Sequence, residues 1–85
     1  MHIPQNIQIV ILFALDEYIK LIKTDKRKKE LMFSMAVLED NNTEEVSHGL
    51  SDYITSLKYY YSHSNKFWRA ECQNALNHFK KYGKC

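Results

Sequence analysis

Residues 65–83 read NKFWRAECQNALNHFKKYG, and within them Trp68, Cys72, Ala75, Phe79 and Tyr82 recur at spacings of four, three, four and three. Such a series falls on one face only in an α-helix. Lys80 and Lys81 suit the negative end of a helix dipole, and Gly83 suits a helix stop. This stretch is the fourth helix of the chain.

The same periodicity extends upstream. Val46, Leu50, Tyr53 or Ile54, Leu57, and Tyr60 or Tyr61 form the stripe of a third helix, in which Gly49 costs about 1 kcal/mol relative to alanine unless something packs closely on it. Ser62 to Asn65 are poor helix formers and suit a turn. The stripe nevertheless passes through Ser64 without a phase slip, so one long helix over 44–82 reads as well as two. Asp40 to Thr43 is the clearest connector, with Asn42 and Glu45 spaced as a capping box and Glu44 and Glu45 placed where a helix start favours acids.

A second helix is expected over 26–40, burying Leu31, Met35 and Leu38 with help from Met32, Phe33 and Val37. Thr24 and Asp25 are good residues to precede it. A first helix is expected over 4–23, opened by Pro4 and carrying Ile7, Val10 or Ile11, Ala14, Tyr18, and Leu21 or Ile22. Its early part is apolar nearly all round, which predicts neighbours on several sides. The β-branched density of Ile7 to Phe13 also admits a strand, but the period continuing through Ile22 favours a helix.

With only Gly49, Gly83 and Pro4 as backbone breakers, the pattern predicts an all-α fold. The expectation is a single domain over 1–85, a small bundle of three to four antiparallel helices. At 85 residues its core is marginal, so self-association through Ile9 to Phe13 and the helix-four stripe is expected. The apolar run Ile9 to Leu15 is too short for a membrane span, which needs about 20 residues. Two cysteines, Cys72 and Cys85, are too few for a disulfide framework, and a reduced, cytoplasmic protein with no membrane partner and no secretory signal is expected.

No nucleotide, metal or nucleophile motif is present, so neither a cofactor nor an enzymatic activity is expected. Glu45 and His48 have the spacing of a di-iron pair, but no second copy exists. His48 with Asp52 is the remaining acid-base pairing, and Cys72 lies on the apolar stripe as a structural thiol.

Charge is the informative feature. From Glu30 to Leu57 there are six acids and no Lys or Arg, whereas all twelve basic residues and only four acids lie outside. Glu30, Glu44 and Glu45 have local explanations, leaving Glu39, Asp40 and Asp52 without one. Lys20, Lys23, Lys26, Arg27, Lys28 and Lys29 form a cluster able to bind phosphates, or else a solvated turn. Residues 58–69 hold five aromatics, three fixed cations and a histidine; three successive tyrosines span about 200° of a helix, so at least one must be exposed.

These features predict a non-catalytic protein-binding module of the inhibitor, immunity, antitoxin or adaptor kind, working by stoichiometric docking or occlusion. Tyr59, Tyr60, Tyr61, Lys66, Trp68 and Arg69 are the expected contact residues, with Glu39, Glu44 and Glu45 facing a basic partner surface. The alternative is a nucleic-acid module that takes phosphates on Lys23, Lys26, Arg27, Lys28 and Lys29 and stacks bases on Tyr59 to Trp68.

Overall fold

The computed structural model describes residues 2–40 and 43–83, and the side chains of all of these but 43–45. The capping box of Asn42 and Glu45, the carboxylate of Glu44, and Cys85 therefore lie outside the described set. Four helices follow in order: α1 (Gln5–Ile19), α2 (Asp25–Asp40), α3 (Thr43–His63) and α4 (Lys66–Tyr82). Ile7 to Phe13 are helical, and the described residues contain no strand.

Each boundary has a local cause. Pro4 stands just before α1 as its cap residue, and its carbonyl accepts from the Gln8 N–H at 2.9 Å. The expected end at residue 23 is corrected to Ile19. There the tighter bonds from Leu21 N–H to Tyr18 O (3.0 Å) and Ile22 N–H to Ile19 O (3.1 Å) close the last turn; Ile22 still packs against the core, and no apolar residue follows it before Leu31. The Thr24 carbonyl accepts from Lys28 N–H at 3.0 Å, so α2 starts at Asp25. Lys26 to Lys29 consequently occupy the positive end of α2, each opposing the dipole by roughly 0.3–1 kcal/mol at low salt.

Ser62 and His63, expected in the turn, complete α3 instead: the Ser62 hydroxyl donates to Lys58 O at 3.1 Å and His63 Nδ1 meets Tyr59 O at 2.8 Å. Only Ser64 and Asn65 separate the two helices. The extended Asn65 (ψ 176°) caps α4, its Oδ1 accepting from Trp68 N–H at 3.1 Å.

Side-chain pairings fix the topology as up-down-up-down. Gln8 Nε2 donates to Leu38 O (2.7 Å), and the Tyr53 hydroxyl to Ser34 O (3.1 Å). Tyr53 stacks on Phe79 at 6.2 Å, Tyr60 meets Trp68 edge-on at 6.0 Å, and Phe13 stacks on Trp68 at 4.9 Å. α1 and α3 form the central pair, each touching both outer helices, and among the described residues α2 and α4 do not meet. The near-continuous apolar surface of α1 follows from that position.

The core contains Ile7, Val10, Ile11, Ala14 and Leu15 of α1, Leu31, Val37 and Leu38 of α2, Val46, Leu50, Tyr53 and Leu57 of α3, and Cys72, Ala75 and Phe79 of α4. Two expectations for α2 are corrected. Met32 and Phe33 face outward, each 60% exposed, and Met35 is only half-buried, while Ser34 is inside. A small residue is needed there because α3 approaches through Gly49: a Cβ on Gly49 would lie 2.9 Å from the Tyr53 ring and 3.3 Å from Ser34 Oγ.

Ser56 is fully buried in α3, and its hydroxyl has no hydrogen-bond partner among the described residues. Ser56→Ala should therefore raise stability by roughly 1 kcal/mol, because it removes an unpaired buried hydroxyl and improves helix propensity. Urea unfolding reads this directly, and a destabilised variant would show that the hydroxyl is satisfied in solution.

Candidate functional site

The aromatic residues singled out in the sequence converge with two others. Phe13 on α1 lies face to face with Trp68 (4.9 Å, 15° between planes) and tilted against Tyr60 (5.2 Å), while Phe67 packs edge-on to Trp68 at 5.1 Å. Ile9, one helical turn before Phe13, continues the same face. Phe67 is 62% exposed, Ile9 55% and Phe13 41%, so the cluster opens to solvent rather than closing into the core. A contiguous apolar patch of this kind on a small chain marks an interaction surface more often than a lone exposed ring does.

Local structure explains the geometry. Asn65 starts α4 so that Phe67 and Trp68 fall in its first turn, and the Arg69 Nε–H donates to Ser64 O at 3.0 Å, which bends that side chain back over the turn. Lys66 is exposed beside the rings. Tyr60 is half-buried; burial first, then the Glu17 carboxylate, raises its phenol pKa. Tyr61 is exposed, as three tyrosines in a row on a helix require, and Tyr59 is held between Tyr18 (edge-on, 5.4 Å) and His63 (stacked, 4.3 Å).

The expected contact residues thus separate into two groups. Tyr59, Tyr60, Tyr61, Lys66, Trp68 and Arg69 gather where α3 turns into α4. Glu39 is exposed in the last turn of α2, next to Leu38, which meets the amino-terminal half of α1 at the other end of the bundle. Glu44 and Glu45 are not placed by their side chains. The sequence predicts Ile9 and Phe13 as contacts to a second copy, from the early part of α1 being apolar nearly all round, but not as members of the aromatic group that Trp68 and Tyr60 form.

The face offered to a second copy is smaller than expected. Cys72, Ala75 and Phe79 of the α4 stripe are buried inside the chain by packing on α1 and α3, leaving Ile9 and Phe13 of α1 and Tyr82 of α4 as its outward part.

Asp52, unexplained in the sequence, has a structural role. Its Oδ1 accepts from the Arg27 guanidinium and its Oδ2 from the Ser34 hydroxyl at 3.1 Å, with only 15% of the carboxylate side chain exposed. Arg27 also reaches Glu30 at 3.0 Å, and the hydrogen bonds to Asp52 and then Glu30 raise its pKa. Arg27 of the expected phosphate cluster is thereby engaged with two carboxylates. Lys23, Lys26, Lys28 and Lys29 have no ion-pair partner among the described residues.

A cleft of about 420 Å³ lies beside this network between α2 and α3, walled by Phe33 and His48 and floored by Gly49 and Tyr53. It holds the His48 and Asp52 pairing, but the carboxylate is already bonded to Arg27 and Ser34. No group of three His, Cys, Asp or Glu side chains among the described residues is placed to hold a metal ion, and no helix there is long and apolar enough to cross a membrane. The Cys72 thiol is buried, and desolvation followed by the Glu71 charge raises its pKa to about 11. At neutral pH it is a protonated packing group.

Tyr53 behaves alike: desolvation, with Asp52 adding to it, raises its phenol to about 12. Both groups keep their protons to higher pH folded than unfolded. Their stabilising contribution is therefore complete below about pH 9 and is lost as pH rises towards 12. Unfolding free energy should fall by roughly 2 kcal/mol between pH 8 and 10.5. Urea titrations at the two pH values check this, and equal stability would mean that neither group is sequestered.

Compared with known proteins, the chain matches no family model, no curated protein and no solved structure.

Proposed function

We propose that this chain is a non-catalytic docking module that binds another protein through the open aromatic face of Ile9, Phe13, Phe67 and Trp68. The observation that carries this reading is the exposure of a continuous ring cluster that the fold could have buried: Trp68 is stacked by Phe13, yet Phe13 and Phe67 remain on the surface. Tryptophan, tyrosine and arginine dominate the energetics of protein interfaces, and Trp68, Tyr60 and Arg69 stand together here with Lys66 at the rim. The chain would act by occupancy, as inhibitors and adaptors do, with the exposed acid Glu39 at the far end free to steer a basic partner.

Capture from nuclease-treated lysate of the source cell, with wild type and Phe13→Ser run side by side, tests the reading. A defined protein retained by wild type and lost with Phe13→Ser supports it. Equal retention by both refutes the assigned face.

A further inference from the structure

The topology brings together two parts of the chain that the sequence presents separately. Tyr18, at the end of α1, meets Tyr59, near the end of α3, so the α1–α2 and α3–α4 connections lie at the same end of the bundle. Residues 16–30 and 58–69, which form this end, carry nine Lys and Arg against four Asp and Glu, whereas the rest of the chain carries three against six. This end is therefore basic, about +5 by these residues and about +4 once Asp52, bonded to Arg27, is counted with it.

Little of that positive charge is compensated within the fold. Lys20 pairs with Asp16 and Glu17, and Arg27 with Glu30 and Asp52. Lys23, Lys26, Lys28, Lys29, Lys58 and Lys66 have no ion-pair partner among the described residues. Clustered like charges repel, so an external polyanion at this end would relieve a cost of folding.

Flat rings are interleaved with these cations. Tyr61 is exposed, His63 is exposed and stacked on Tyr59 at 4.3 Å, and Phe67 offers a largely open face. Between Tyr61 and Phe67, the Ser62 hydroxyl, His63 Nδ1 and Asn65 Oδ1 are engaged with the backbone and the Ser64 hydroxyl is buried, which leaves His63 Nε2, the Asn65 amide N–H and the Lys66 ammonium at the exposed surface. Cations that neutralise phosphates, rings that stack on unpaired bases, and donors and acceptors for a ribose hydroxyl are the three contacts that single-stranded RNA offers. An acidic polypeptide would use only the first, and a duplex keeps its base faces hidden.

The geometry points to single-stranded RNA as the occupant of this end, with Lys23, Lys26 and Lys66 on the backbone and Tyr61 and the Tyr59–His63 stack under the bases. This surface adjoins the docking face, sharing Lys66 and Phe67 with it but not Ile9 or Phe13, and RNA as its occupant goes beyond the protein-binding reading.

Fluorescence anisotropy of a labelled twelve-nucleotide oligouridylate tests it. In low salt the full chain should bind with a Kd of about 10 μM or tighter, and three neutralised phosphates give a log–log salt slope of about −2.1, or roughly twenty-fold weakening between 50 and 200 mM salt. The double variant Lys23→Glu with Lys26→Glu should bind at least about tenfold more weakly, and Tyr61→Ala about fivefold or more. Lys80→Glu with Lys81→Glu, at the other end, and Phe13→Ser should both bind as wild type does; circular dichroism establishes that each variant is folded. Absence of binding in low salt overturns the proposal. So does equal binding by a duplex of the same length, by oligothymidylate or by polyglutamate, or equal weakening by the Lys80 and Lys81 changes. Because Phe13→Ser separates the two surfaces, failure here leaves the protein-docking reading standing, and the reverse.

Discussion

Tyr53→Ala is expected to unfold the protein under conditions where wild type is fully folded. Tyr53 of α3 is completely buried and reaches both outer helices, its ring stacked on Phe79 of α4 and its hydroxyl donating to Ser34 O of α2 at 3.1 Å. Truncating a buried aromatic typically costs about 3–5 kcal/mol, because the lost burial is joined by an unfilled cavity. A chain of 85 residues has a total stability of only about 5–10 kcal/mol, so one such change removes much of it. Thermal melts read by circular dichroism check this, and a melting point within a few degrees of wild type would contradict the packing described.

The same residue explains why position 49 is glycine. A methyl group there would meet Tyr53 Cζ and Oη at 2.9 Å, and Tyr53 cannot swing away without giving up its bond to Ser34. Gly49→Ala should thus lose roughly 1–3 kcal/mol despite better helix propensity. In a Tyr53→Phe background the loss should shrink, since one of the two crowded atoms is gone, and a double-mutant cycle measures the difference.

The second large effect is on binding. Phe13 is the ring that joins α1 to the α4 aromatics, stacked on Trp68 and tilted on Tyr60, yet it is not required to close the core. Phe13→Ala should leave the fold intact and weaken the protein partner by about 2 kcal/mol or more, near thirty-fold, as expected at the centre of an interface. Titration calorimetry with the captured partner reads the loss. An affinity unchanged by Phe13→Ala, with the melt also unchanged, would place the contact elsewhere.

The helical class was legible because its strongest signal is local. The α4 stripe of Cys72, Ala75 and Phe79 is buried as its spacing requires; Asn65 caps its start, and Gly83 closes it through an N–H bond to Phe79 O, with a negative φ rather than the left-handed one that glycine favours. α2 was less legible because the run from Leu31 to Met35 invites burial by hydrophobicity alone. Ser34 takes the inner position because Gly49 brings α3 too close for a larger side chain and because Asp52 needs the hydroxyl.

Asp52 itself could not be explained from its neighbours, since its partner Arg27 lies 25 positions away and the pair forms only when α2 folds back along α3. The same distance in sequence hid the candidate site. Trp68 and Tyr60 were visible as an aromatic segment, but Phe13 joins them only through the antiparallel docking of α1 on α4. The dense apolar run of α1 announced burial without saying which side chains would be left over.

Site-specific photo-crosslinking gives the most direct reading of the docking face. A benzophenone amino acid is placed in turn at Phe13, at Phe67 and, as a control on the exposed side of α3, at Thr55, and each protein is irradiated in nuclease-treated source-cell lysate. Docking through the aromatic face predicts one protein adduct common to positions 13 and 67 and absent at 55. Adducts of equal yield at all three positions, or none at 13 and 67, would contradict it.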